Sequence, residues 1–140
     1  MSETRPSRRP DRSAERDDAR AFACAVARIA AADKTTDVVV IDLRGLSSIA
    51  DYFVIGTGTS ERQMHAVLEH IEEHAESVGR RPLGISDTPS ASWLLADYVD
   101  VIIHLFDAEH RAYYDLDGLW GDAPRVVWQE PPETAEADSQ

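Results

Sequence analysis

A mixed β-sheet with helices packed on it, an α/β (α+β) architecture, is what this sequence predicts, and three observations carry the prediction. Val38-Val-Val-Ile41 and Tyr52-Phe-Val-Ile55 are short, continuously apolar runs bounded by turn residues, the pattern of strands covered on both faces. A capped helical pattern begins at Ser60, directly after the second run. A third run, Val101-Ile-Ile-His-Leu-Phe106, follows that helix, so the main elements read helix, strand, strand, helix, strand, strand.

In chain order, the first helix is expected from about Ser13 or Asp18 to Ala32. Phe22, Val26, Ile29 and Ala30 return at helical spacing there, and Asp33 and Lys34 end the pattern. Asp37 to Leu43 is the first strand and Gly45 to Ser48 turns the chain. Tyr52 to Ile55 is the second strand, broken by Gly56, Thr57 and Gly58 where the backbone has to turn sharply. In Ser60-Glu-Arg-Gln63 the serine hydroxyl can accept from the Gln63 N–H while the Gln63 side chain reaches back. Met64, Val67, Leu68, Ile71, Ala75 and Val78 then form one apolar stripe, and Gly79 supplies a left-handed stop. Beyond Pro82 come a short extended piece at Leu83 to Ile85, a polar turn at Asp87 to Ser90, and strands at about Ser92 to Ala96 and Val99 to Phe106. Glu109 to Leu119 reads as a short helix, and Val126-Val-Trp128 as a returning edge strand.

Residues 1–13 mix arginine, proline, serine and acids without apolar periodicity and read as a disordered arm; residues 129–140 read as a disordered acidic tail. One domain is therefore expected at 14–128. No apolar run approaches the roughly 18 residues of a membrane span. Five acids interleave with the six arginines of the first twenty residues, unlike an acid-poor transit peptide, so the expected location is cytoplasmic. The net charge is −12, and residues 21–128 hold seventeen acidic against eight basic side chains. Such a body forfeits the counterion release that drives nucleic-acid binding, so little direct nucleic-acid contact is expected and a basic or apolar protein face is the better partner. Cys24, the only cysteine, lies in an alanine-rich helical run with no evident cationic neighbour and reads as a buried, inert thiol.

Three constellations bear on chemistry. His70-Ile-Glu-Glu-His74 matches H-x-x-E-H, but both histidines flank the apolar stripe on an acidic outer face, and a zinc protease needs a larger domain and a third ligand; no metal site is expected. Gly56-Thr-Gly-Thr-Ser60 before a helix could cradle an anion, yet it fits neither phosphate-binding glycine motif, and Glu61 would repel a triphosphate. A nucleotidyl transferase would also need paired carboxylates; Asp100 is present but position 102 is Ile, so no catalytic residue and no cofactor is assigned. Trp93, Asp97, Tyr113, Tyr114, Leu116, Leu119 and Trp120 form the third constellation. Any one of these aromatics reads by default as core, but together they exceed what a small sheet sandwich needs, and Trp and Tyr anchor protein interfaces; Trp93 and Trp120 read equally as core or as interface.

Together these residues resemble the ribosomal silencing factor, or Iojap-like, family. The resemblance runs from about Asp37 to Asp122 and rests on Leu46-Ser-Ser-Ile-Ala-Asp-Tyr-Phe-Val-Ile-Gly-Thr-Gly-Thr-Ser60, Pro82-Leu-Gly-Ile85, Ser92-Trp93, Asp97, Asp100-Val-Ile-Ile-His104 and Tyr114-Asp-Leu-Asp-Gly-Leu-Trp120. One departure is Val99, where the family usually has Gly, which implies a differently shaped strand entry near Asp97. The resemblance implies a nucleotidyltransferase-like topology without the catalytic carboxylates. It also implies a non-enzymatic factor that binds the large ribosomal subunit through large-subunit ribosomal protein number fourteen, blocks joining of the small subunit and represses translation when nutrients are scarce. Carried over residue by residue, the partner-binding positions are Trp93, Asp97, Tyr114, Leu119 and Trp120, with His104 a weaker candidate. The rival readings are a nucleotide-dependent transferase using the Gly58 to Ser60 turn and a homodimer self-associating through its exposed aromatics.

Overall fold

The computed structural model describes residues 12–86 and 92–129, with side chains from residue 18 onward. In chain order the elements are α1 (Arg12–Ala32), β1 (Thr36–Asp42), β2 (Tyr52–Thr57), α2 (Glu61–Ser77), β3 (Gly84–Ser86), β4 (Trp93–Asp97), β5 (Val101–Phe106), α3 (Ala108–Tyr114) and α4 (Leu116–Leu119). The strands form one mixed sheet in the order β1-β2-β5-β4-β3. Only β2 and β5 run parallel; the other neighbouring pairs are antiparallel. That parallel pair is the centre of the sheet and is buried at every position, as its uninterrupted apolarity requires.

The ends of the two long helices are set locally. At the start of α2 the Ser60 hydroxyl accepts from the Gln63 N–H at 3.1 Å, and the Gln63 side chain reaches one residue farther back than a capping box, accepting from the Thr59 N–H at 3.0 Å. Gly79, at φ 80°, stops α2: its N–H donates to Glu76 and the Arg80 N–H to Ala75. α1 stops by the same pattern at Lys34, φ 74°, with N–H groups of Lys34 and Thr35 donating to Ala31 and Ala30. Lysine in that conformation costs about 1 kcal/mol more than glycine.

Strand alternation divides the core in two. Towards α1 and α2, Val40, Tyr52, Val54, Leu94, Ile103 and Leu105 pack against Val26, Ala30, Val67, Leu68 and Ile71. Towards α3 and α4, Ile41, Phe53, Ile55, Ile102 and Phe106 form a second cluster with Ala123.

Three expected features differ. The second strand does not break at Gly56: Gly56 and Thr57 continue β2, paired with Leu105 and Phe106 of β5, because the parallel ladder holds them until Gly58. Glu109 to Leu119 is two helices, because Asp115 takes a left-handed conformation (φ 49°) and its carboxylate caps α4 by accepting from the Gly118 N–H at 3.1 Å. Aspartate tolerates that backbone and is a strong cap, so it breaks a helix that periodicity alone continues. Val126 to Trp128 is not a strand. Beside β1 the chain makes a single bridge, Ile41 to Arg125, with hydrogen bonds from Asp42 N–H to Pro124 and from Val126 N–H to Val40. The Trp128 indole then donates to the Val38 carbonyl at 3.1 Å, so a side chain takes the place of the next rung. The expected turn at Asp87 to Ser90, and nearly all of the expected arm and tail, lie outside the described residues. Among the described residues, no helix is long and apolar enough to cross a membrane.

Candidate partner-binding face

Period-two alternation aims Trp93, Leu95 and Asp97 of β4 away from α1 and α2, while Leu94 and Ala96 are buried beneath those helices. In register, Trp93 lies opposite Phe106, Leu95 opposite His104 and Asp97 opposite Ile102. Leu116, Trp120 and Ala123 lie over this face, yet Trp93, Leu95 and Trp120 are only partly buried.

The result is a contiguous aromatic cluster. The Trp93 ring centroid is 4.7 Å from Tyr114, 4.8 Å from Phe106 and 5.9 Å from His104. Phe53 meets His104 edge-on at 4.5 Å and Trp120 at 6.2 Å. At the rim Tyr114 is 44% exposed, Leu119 70% and Tyr113 78%. Thus Trp93 and Tyr114 are in direct contact, Trp120 joins them through Phe53 and His104, and Leu119 projects to solvent. Asp97 sits apart, four residues along β4 from Trp93, or roughly 13 Å.

His104 belongs to the floor of this cluster. It is buried, its Nδ1 accepts from the Trp93 indole N–H at 3.2 Å, and burial lowers its pKa from 6.5 to about 4. Accepting at Nδ1 places the proton of the neutral ring on Nε2, and that atom is buried with no hydrogen-bond partner among the described residues. The ring therefore sets the tilt of Trp93 and presents nothing to a partner.

At its own end of the face, Asp97 accepts from the Val99 N–H at 2.8 Å and organises a tight turn, with the Asp100 N–H donating to the Tyr98 carbonyl. Val99 takes the left-handed conformation that glycine would adopt freely, φ 77°, with its side chain exposed. A β-branched residue held there is strained by about 1–3 kcal/mol.

Arg111 of α3 was not legible as a site residue. Its Nε and Nη2 donate to both oxygens of Asp117 at 3.2 and 2.8 Å, and its Nη1 to the Thr57 hydroxyl at 2.9 Å and the Asp37 carbonyl at 2.5 Å. Burial pushes the Asp117 carboxyl up, but the hydrogen bonds and charge of Arg111 outweigh this and hold it below the usual range. Nothing in the local pattern signals partners 54 and 74 residues away.

The remaining constellations are occupied by their own side chains. At the glycine turn, the Gly58 N–H donates to the Phe106 carbonyl, the Thr59 N–H to the Gln63 side chain and the Gln63 N–H to the Ser60 hydroxyl, so these three donors are already used within the fold. His70 bonds to Asp33, which raises its pKa, and His74 stacks on Phe22. Asp100 pairs with Arg80 at 2.9 Å. Among the described residues, no three His, Cys, Asp or Glu side chains gather as a metal site. Cys24 is half-buried and burial raises its pKa; contrary to expectation it has cationic neighbours, Arg20 and Arg28, which lower it only in part.

A family model described as "Ribosomal silencing factor during starvation" matches residues 16–140. The chain belongs to the ribosomal silencing factor family. A protein named ribosomal silencing factor from Bacillus subtilis is 38% identical over 100 residues, covering 71% of this chain and 85% of the relative. Its counterpart from Halalkalibacterium halodurans is 40% identical over 93 residues, covering 66% and 80%. A crystal structure from Bacillus halodurans superposes with a TM-score of 0.63 at 31% identity, covering 73% of this chain and 92% of that one. The ribosomal silencing factor match takes in all the strands and the α3–α4 corner, and hence every residue of the aromatic face.

Proposed function

We propose that this chain represses translation by docking on the large ribosomal subunit through large-subunit ribosomal protein number fourteen, where its bulk keeps the small subunit from joining. The observation that carries the reading is the half-open aromatic strip of Trp93, Tyr114 and Trp120, with Leu119 at its rim, on an acidic body whose family is the ribosomal silencing factors. Tyr and Trp are the side chains that anchor protein interfaces, and an acidic surround favours a basic protein over the RNA beside it. Asp97 supplies charge complementarity at the far end of the strip through the carboxylate oxygen not used in its own turn. On this reading the factor is cytoplasmic, acts by occupancy and transforms no substrate. The glycine turn, whose Gly58, Thr59 and Gln63 N–H groups are already hydrogen-bonded within the fold, and the Asp100–Arg80 pair count against the nucleotidyl-transfer alternative.

The test is subunit joining. Purified protein, at saturating concentration with separated subunits, should shift sedimentation profiles from joined particles to free subunits. Undiminished joining would reject the proposal, and calorimetric binding of a nucleotide with magnesium at micromolar affinity would favour the transferase.

A further inference from the structure

Tyr114, Leu119 and Trp120 come from a corner of two short helices that meet at a left-handed residue, Asp115; neither helix has a fully buried residue, and the corner rests on the sheet through half-buried Leu116 and Trp120 and the contacts of Tyr114 with Trp93 and Phe106. A seven-residue and a four-residue helix are too short to hold their own orientation. To that non-directional packing the fork of Arg111 adds fixed directions. Within the corner it grips Asp117 through both carboxylate oxygens; across the fold it reaches Thr57 at the end of β2 and the Asp37 carbonyl on β1. Asp37 is itself left-handed (φ 51°), in a stretch where the β1–β2 register slips by one residue, a bulge that re-aims its backbone. Arg125 ties the other end, donating to the carbonyls of Asp117, Trp120 and Ala123. The Arg111 side chain is only 13% exposed, so a partner could scarcely touch it.

We infer that Arg111 is a positioning residue for the docking face: its bidentate clamp on Asp117, anchored on Thr57 and Asp37, sets the angle between α3 and α4 and so brings Tyr114, Leu119 and Trp120 into one binding arrangement. This rests on reading the aromatic face as the docking surface. Guanidinium geometry is essential to it, because a lysine has no fork with which to hold a carboxylate and two further oxygens in fixed directions.

The experiment is a double-mutant cycle in the full chain, read as affinity for isolated large subunits alongside denaturant unfolding. Arg111→Gln should weaken binding about tenfold with unfolding still cooperative, and Arg111→Lys should not restore it. Leu119→Ala with Trp120→Ala should weaken binding by at least as much, and adding Arg111→Gln to that pair should cause little further loss, because of the groups it positions only Tyr114 remains, and Tyr114 is held also by Trp93 and Phe106. Full multiplication of the two losses, or wild-type affinity in Arg111→Gln, overturns the positioning role while leaving the docking face intact. Wild-type affinity in the Leu119 and Trp120 variant removes the docking face, and the inference with it. If Arg111→Gln lost cooperative unfolding, Asp117→Asn, which keeps the shape and removes the charge, would carry the same cycle.

Discussion

On the α1–α2 side of the sheet, Val54, Leu94, Ile103 and Leu105 are each 1% exposed; on the α3–α4 side, Trp93, Leu95 and Trp120 stay half-buried. The same strands supply both sides by the same alternation, so strand sequence is not what separates them. Cover is. Helices of 21 and 17 residues close the first face, whereas seven and four residues cannot close the second. What is left open is aromatic, and its buried histidine, His104, is spent on holding Trp93. One face is thus sealed and the other left partly open, and the open one is the face the proposed docking would use.

The largest test of that contrast is a pair of truncations. Leu68→Ala, on the buried face of α2, should cost about 2–5 kcal/mol in denaturant unfolding while the folded fraction keeps its affinity for large subunits. Trp93→Ala should leave unfolding cooperative and weaken binding by about tenfold or more. Loss of cooperative unfolding in Trp93→Ala would make the second face core as well.

Acid should separate the faces next. Because His104 has a folded pKa of about 4 against 6.5 unfolded, the unfolded chain binds its proton first, and stability should fall as pH drops from 6.5 to 4, by on the order of 3 kcal/mol in all. His70, on the outside of α2, has the opposite sign: Asp33 raises its pKa, so its contribution is complete below the ordinary histidine value and is lost as pH rises through the folded one. Urea midpoints across this range, for the natural chain and for His104→Asn, measure the difference. An unchanged acid slope in the variant would assign the sensitivity to another group.

The smallest effect concerns the far end of the open face. Val99→Gly should relieve the left-handed strain and raise stability by roughly 1 kcal/mol, read as a higher thermal midpoint, since the strain removed exceeds the added freedom of glycine in the unfolded chain. A lower midpoint would mean that the Val99 side chain stabilises the turn more than its backbone strains it.

Much was already settled by the sequence alone. Short continuous apolar runs were enough for the central strands, Ser60 and Gly79 for the ends of α2, and the count of Trp and Tyr for an aromatic surplus, because each depends on neighbours a few residues away. Tertiary structure decided the rest. The strand order, the replacement of a final strand by the Trp128 indole, the His104 acceptor that orients Trp93, and the fork of Arg111 join residues 11 to 90 positions apart. Local periodicity has no access to such pairs: each exists only once the sheet has closed and left a buried donor or acceptor in need of a partner.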